Sequence, residues 1–145
     1  MSRRRFADLA ASLRKLSEIP AQVAAGASEK IAAQVQEDFD AGLDPFGNAW
    51  EPLAEATLAK GRHAPPLTDS GAMRDSIDVR PMQGAGISIT IDDPAVHHQY
   101  GTMYMPARPI IPNRSDLPDS WRRAIADAAE EAFERTTSAM GAFGE

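Results

Sequence analysis

The 145 residues carry 15 Lys and Arg against 21 Asp and Glu, a formal net charge of −6, and are 43% hydrophobic but only 6% aromatic. The lack of cysteine excludes disulfide frameworks, thiolate zinc sites and cysteine nucleophiles, and the acidic balance argues against a chain whose main task is to grip nucleic acid electrostatically. The length fits one domain, able to bury roughly 70% of its unfolded surface around a core of Ala, Leu, Ile, Val and Met.

No run is long and apolar enough to cross a bilayer, and residues 1–16 lack the apolar h-region of a signal peptide, so a soluble chain without a membrane partner is expected. Phe6, Leu9, Ala10, Leu13 and Leu16 fall at helical spacing with Arg and Lys on the other face. After Pro20, Val23, Ala27, Ile31, Val35 and Phe39 recur every four residues, and Gly42 is a stop signal. Pro20 is compatible with one kinked helix or with two helices joined there.

Residues 42–67 are punctuated by Asp44-Pro45, Gly47-Asn48, Pro52, Gly61 and Pro65-Pro66. So long a connection in a compact domain is more often functional or mobile than merely connective. Trp50 and Leu53 are expected to anchor its first half and Pro52 to stiffen it, while residues 59–66 project, with Arg62 and His63 as their polar contacts. Thr68 or Asp69 is placed to cap a short helix through Arg74, with Gly71 permitting close packing at its start.

A strand at 77–80 and a second at 87–91, joined by a turn at 81–86, read as an antiparallel hairpin. In the second, Ile87, Ile89 and Ile91 alternate with Ser88, Thr90 and Asp92, giving an apolar face that needs a cover. A short helix at 95–100 ends at Gly101. Prolines at 106, 109 and 112 make 105–112 extended, an edge strand or a strap. Trp121, Ile125, Ala128, Ala129, Ala132 and Phe133 give a final helix at 118–137 its apolar stripe, and 138–145 is a small-residue tail. The fold class is α+β: one domain, with a small antiparallel sheet packed against long N-terminal and C-terminal helices and a long loop between helix and sheet.

Chemistry-bearing residues are sparse. His97 and His98 are adjacent and diverge by about 100° on a helix, a poor arrangement for one metal. Ser70 lacks the G-x-S-x-G elbow, Asp92-Asp93 precedes Pro94 as a turn, and Gly84 and Gly86 precede a strand where a phosphate loop needs a helix. No enzyme activity, metal or cofactor is expected.

Two stretches together resemble a known family. Phe39, Asp44-Pro45-Phe46-Gly47-Asn48-Ala49-Trp50-Glu51-Pro52-Leu53, Thr57, Lys60 and Leu67-Thr68-Asp69-Ser70-Gly71-Ala72-Met73-Arg74-Asp75-Ser76-Ile77 form the first. His98-Gln99-Tyr100-Gly101 with Met105-Pro106-Ala107-Arg108-Pro109-Ile110-Ile111 forms the second. In order and spacing they resemble the tailed-phage virion morphogenesis, or tail completion, family, which includes the Mu-like protein G and the P2-like tail completion protein S. Met73 stands where Leu is commoner there, and Ile110-Ile111 replaces an aromatic-Leu pair.

The resemblance implies a structural protein of the virion neck or tail end, present in the host cytoplasm during assembly. It implies a homo-oligomeric ring, of six copies by analogy with related terminators, contacting neck and tail tube proteins while DNA passes without tight binding. A closed ring needs two different complementary surfaces on each subunit. Candidates are the edge at 87–91, the strap with Pro106, Arg108, Pro109 and Ile110, and an outer helix face. Arg108, fixed between prolines, suits a bidentate partner, either across subunits or within one. The competing reading is a small DNA-binding or packaging accessory protein using Arg3, Arg4, Arg5, Arg14 and Lys15.

Overall fold

The computed structural model describes residues 3–54, 71–84, 86–93, 95–112 and 116–141. In chain order they form α1 (Arg3–Ser17), α2 (Ile19–Ala41), α3 (Ala72–Asp75), β1 (Asp78–Pro81), β2 (Ile87–Thr90), α4 (Ala95–Tyr100) and α5 (Asp119–Ala139). The α+β class expected from the sequence is the one observed.

Residues 3–41 are two helices, with the break at Glu18. Pro20 lies in the first turn of α2, where its missing N–H removes no intrahelical bond. At the other end Gly42 takes a left-handed conformation (φ 72°). Its N–H donates to Phe39 O at 3.1 Å and that of Leu43 to Asp38 O at 2.8 Å, the bond pair of a Schellman stop.

Helices α2 and α5 pack antiparallel: Lys30 Nζ reaches Glu131 Oε1 at 3.0 Å, and Thr136 Oγ1 donates to Gln22 Oε1 at 3.5 Å nearer the N-terminus of α2. The buried residues at this end are small, with Ala24, Ala27 and Ser28 on α2 and Ala124, Ala128, Ala132 and Thr136 on α5. A Cβ on Gly26 would lie 3.4 Å from that of Ala128, so the backbones approach closely. Ser28 is accommodated because its hydroxyl donates to Ala24 O at 2.6 Å.

Toward the other end the side chains grow. Ile31, Val35 and Phe39 meet Trp50, Ala95, Ile110 and Trp121 in one cluster. The Phe39 and Trp50 rings meet edge to face, centroids 5.2 Å apart, a geometry worth about 1 kcal/mol beyond the area it buries. Against this cluster lie Ile77, Val79, Ile87, Ile89 and Ile91 of the hairpin, so the alternating apolar face finds its cover on the helices. Val79 stands opposite Ile89, and Met82 N–H closes the turn on Gly86 O at 2.7 Å. The first strand is displaced by one residue from the expected span, ending on Pro81.

Of the two readings of residues 105–112, edge strand or strap, the strap is the one observed: they join neither strand, their prolines lack N–H groups, and the N–H groups of Arg108, Ile110 and Ile111 are taken by α4. Three expectations need correction. Phe133 is 56% exposed, on the outer side of α5. The stripe of α1 is helical but covers nothing, since no residue of α1 is buried. Gly71 opens α3 at φ 74° with empty space where a Cβ would stand, so its role is conformational rather than close packing. The cap expected from Thr68 or Asp69 lies outside the described residues.

The small-residue end of the α2–α5 pair makes a direct prediction. Ala132→Leu, at a fully buried position, overpacks the interface and lowers unfolding free energy by about 1–3 kcal/mol in urea titration. Ala126→Leu, on the exposed face, changes it by less than about 0.5 kcal/mol.

Candidate functional site

Residues 39–52 of the first sequence stretch singled out above and the second stretch converge in space; Thr57, Lys60 and residues 67–70 of the first lie outside the described residues. Asp44 begins the first: its Oδ1 accepts the N–H groups of Phe46 and Asn48, both at 2.9 Å, and its own N–H donates to Asn48 O at 2.8 Å. This Asx-type turn, with Gly47 at φ 87°, reverses the chain so that Trp50 N–H donates to Gly42 O at 2.8 Å. Trp50 is thereby swung over Phe39, and its indole Nε1 donates to Pro109 O at 2.8 Å.

The strap is held from two more sides. Gln99 of α4 is 1% exposed; its Oε1 accepts from Ile110 N at 2.7 Å and Ile111 N at 3.0 Å, and its Nε2 donates to Ile111 O at 2.7 Å. One side-chain amide thus satisfies three buried backbone groups, much as a neighbouring strand would. Arg108 donates from Nε to Glu51 O at 2.8 Å and from Nη2 to Pro52 O at 3.0 Å, while its N–H donates to His98 O at 2.7 Å. The guanidinium clamps two consecutive carbonyls of the loop. Burial lowers its pKa, with the charge of Glu51 working in the other direction, and the group stays cationic.

Arg108 and Ile110 are therefore turned inward, 6% and 4% exposed. Of the two partners left open for Arg108, across subunits or within one, the contacts seen are within the chain, to the carbonyls of its own loop; Ile110, named with it as part of a candidate ring surface, is buried in the core cluster. Pro106 remains exposed and Pro109 half-buried. Trp50 anchors the loop, Leu53 is half-buried, and Pro52 exposes its ring while its carbonyl holds Arg108. Arg62 and His63 lie outside the described residues.

The outward surface of this unit is a turn that sequence reasoning passed over. Gly101 has φ 72°, and a Cβ there would meet Ala107 N at 2.8 Å and Met105 O at 2.9 Å, so only glycine fits. Thr102 and Met105 bond each other's backbone across the turn, N···O 3.0 and 3.3 Å. The tip presents Tyr100, Met103 and Tyr104, 69%, 89% and 89% exposed. The signal was present: Gly101 and Pro106 bracket a reversal too short to turn its side chains inward.

An open groove of about 530 Å3 lies between α2, the 45–47 turn and the start of α5, lined by Gln34, Asp38, Phe46, Asp116, Asp119 and Arg122. Burial raises the Asp38 carboxyl above its ordinary value, the Gln34 hydrogen bond opposes this, and Glu37 and Asp44 add to the rise. Among the described residues no group of three or more His, Cys, Asp or Glu is placed to hold a metal ion, and no helix is long and apolar enough to cross a membrane. His98 is half-buried with Nδ1 unpartnered, and its pKa is lowered by desolvation first, then by the charges of Arg108 and His97.

Two outcomes follow from this geometry. Gln99→Met keeps the volume but strands the N–H groups of Ile110 and Ile111; the unfolding free energy falls by roughly 3 kcal/mol in denaturant titration. Because the folded chain binds the His98 proton less readily than the unfolded chain, stability is retained above the ordinary value of 6.5 and lost as pH falls through it toward the lowered folded value. His98→Phe flattens that part of the stability–pH curve, measured as urea midpoints between about pH 7 and pH 5.

No family model, no curated protein and no solved structure matches this chain.

Proposed function

We propose that this chain is a structural protein of a tailed-phage virion that completes the tail and joins it to the head as one subunit of an axial ring. The observation that carries the reading is the convergence of the two stretches that resemble the tail completion family. Trp50 and Arg108 are spent on backbone groups of each other's segments, and Gln99 on backbone groups of its own. A motif used in this way shapes a surface. What it shapes is the rigid tip of Tyr100, Met103 and Tyr104, an apolar projection of the kind buried at protein contacts. The net charge of −6 suits a wall past which DNA moves without being held.

The test uses the paired variant Met103→Asp with Tyr104→Asp. Both side chains are 89% exposed, so the melting temperature is unchanged. In an assembly extract dependent on the chain, the variant leaves filled heads and finished tails unjoined, and gold-labelled wild-type chain marks the head–tail junction. Normal joining by the variant, with label away from the junction, contradicts the reading. Tight duplex DNA binding that weakens steeply with salt supports the packaging-accessory alternative instead.

A further inference from the structure

We propose that α1 is an arm that packs on the outer face of α5 of a second copy of this chain. Phe6, Leu9, Leu13 and Leu16 of α1 are 67%, 42%, 57% and 37% exposed, and the helix buries none of its residues. An apolar stripe about three turns long on a helix of 15 residues is marginal in water without a cover. Among the described residues its own subunit does not supply one: α1 meets α5 at the end, where Lys15 Nζ donates to Ala139 O at 3.2 Å, rather than along its length.

Charge selects the occupant. Arg3, Arg4, Arg5, Arg14 and Lys15 stand against the lone carboxylate of Asp8, so α1 is strongly basic in a chain of net charge −6. Beyond Arg122 and Arg123, the outer side of α5 from Ala126 to Glu134 has the opposite character. Phe133 stands out at 56% exposure, Glu130 is its neighbour one turn back, and Asp127 and Glu134 flank the same exposed side. Ala126 and Ala129, on the Phe133 side one and two turns back, are small enough to let another helix approach. A basic helix with an open apolar stripe thus matches an acidic helix surface that carries an exposed Phe133, and both belong to one chain. At about 22 Å, α1 is no longer than α5, at about 31 Å, on which it lies.

Arm and acceptor are different surfaces, so every copy gives one contact and receives one. The association is head-to-tail and closes into a ring where the rotation allows. That closure rests on the ring of the proposed function; the pairwise contact does not.

The test compares the full wild-type chain with two charge-reversed variants by native mass spectrometry and light scattering across a concentration series. One variant carries Arg4→Glu and Arg14→Glu on the arm, the other Glu130→Arg and Glu134→Arg on the acceptor face. All four positions are exposed, and unchanged circular dichroism and melting temperature verify folding. Each variant alone associates at least tenfold more weakly than wild type, and mixing the two in equal amounts restores oligomers holding both in a 1:1 ratio. Leu9→Glu with Leu13→Glu abolishes association with either partner. Oligomers that survive the Leu9 and Leu13 substitutions overturn the arm while leaving a ring built on other surfaces intact. A wild-type chain that stays monomeric at all concentrations yet binds vesicles of anionic phospholipid overturns it in favour of a membrane-surface helix. Restored pairing in a chain absent from the head–tail junction leaves the arm standing and removes the virion reading.

Discussion

The close approach of α2 and α5 is the constraint on which the rest of the molecule depends. Alanines, Ser28, Thr136 and Gly26 bring the two backbones together at one end, so the axes are fixed before any large side chain is placed. Where the residues become Ile31, Val35, Phe39 and Trp121, the same pair presents an apolar surface wide enough to take the hairpin, Trp50 and the strap together. Dispersion contacts are individually weak but numerous in such packing, and a change of one methylene is felt.

On that platform the irregular segments are held by polar groups rather than by a larger sheet. A two-stranded hairpin is marginal alone and must lean on something. Here it leans on α2, and the proline-rich strap, unable to extend the sheet, obtains its hydrogen bonds from Gln99, Arg108 and Trp50. The prolines reduce the conformational freedom the strap loses on folding, and three long side chains complete the fastening. The consequence is a mount under Tyr100, Met103 and Tyr104 that is hydrogen-bonded on several sides.

Much of the fold was legible because its signals are local. The four-residue recurrence from Ala27 to Phe39, the Gly42 stop and the alternation of Ile87, Ile89 and Ile91 each report one backbone geometry. Illegible were the pairings that depend on which acceptor happens to be near. Nothing in the spacing of Arg108 says that Glu51 and Pro52 carbonyls lie within reach, and nothing in Gln99 announces a side chain standing in for a strand. Phe133 was assigned to the core because it continues the stripe of Ala129 and Ile125. The bundle is narrower than that stripe, so the helix turns Phe133 outward. Similarly, periodicity identifies the apolar face of α1 but is silent on whether the same chain covers it.

Among the described residues, the stripe of α1, Phe133 on α5 and the tip at Tyr104 are apolar surfaces left open, while Trp50, Gln99 and Arg108 are committed to the chain's own backbone. The most direct measurement is hydrogen–deuterium exchange of the purified full chain at rising concentration. The account predicts that amides of α1 exchange within the fastest class when dilute and become protected as copies associate, while those of α2 and α5 are protected throughout. Exchange in α1 that stays fast at every concentration, in a preparation that has nevertheless assembled, contradicts it.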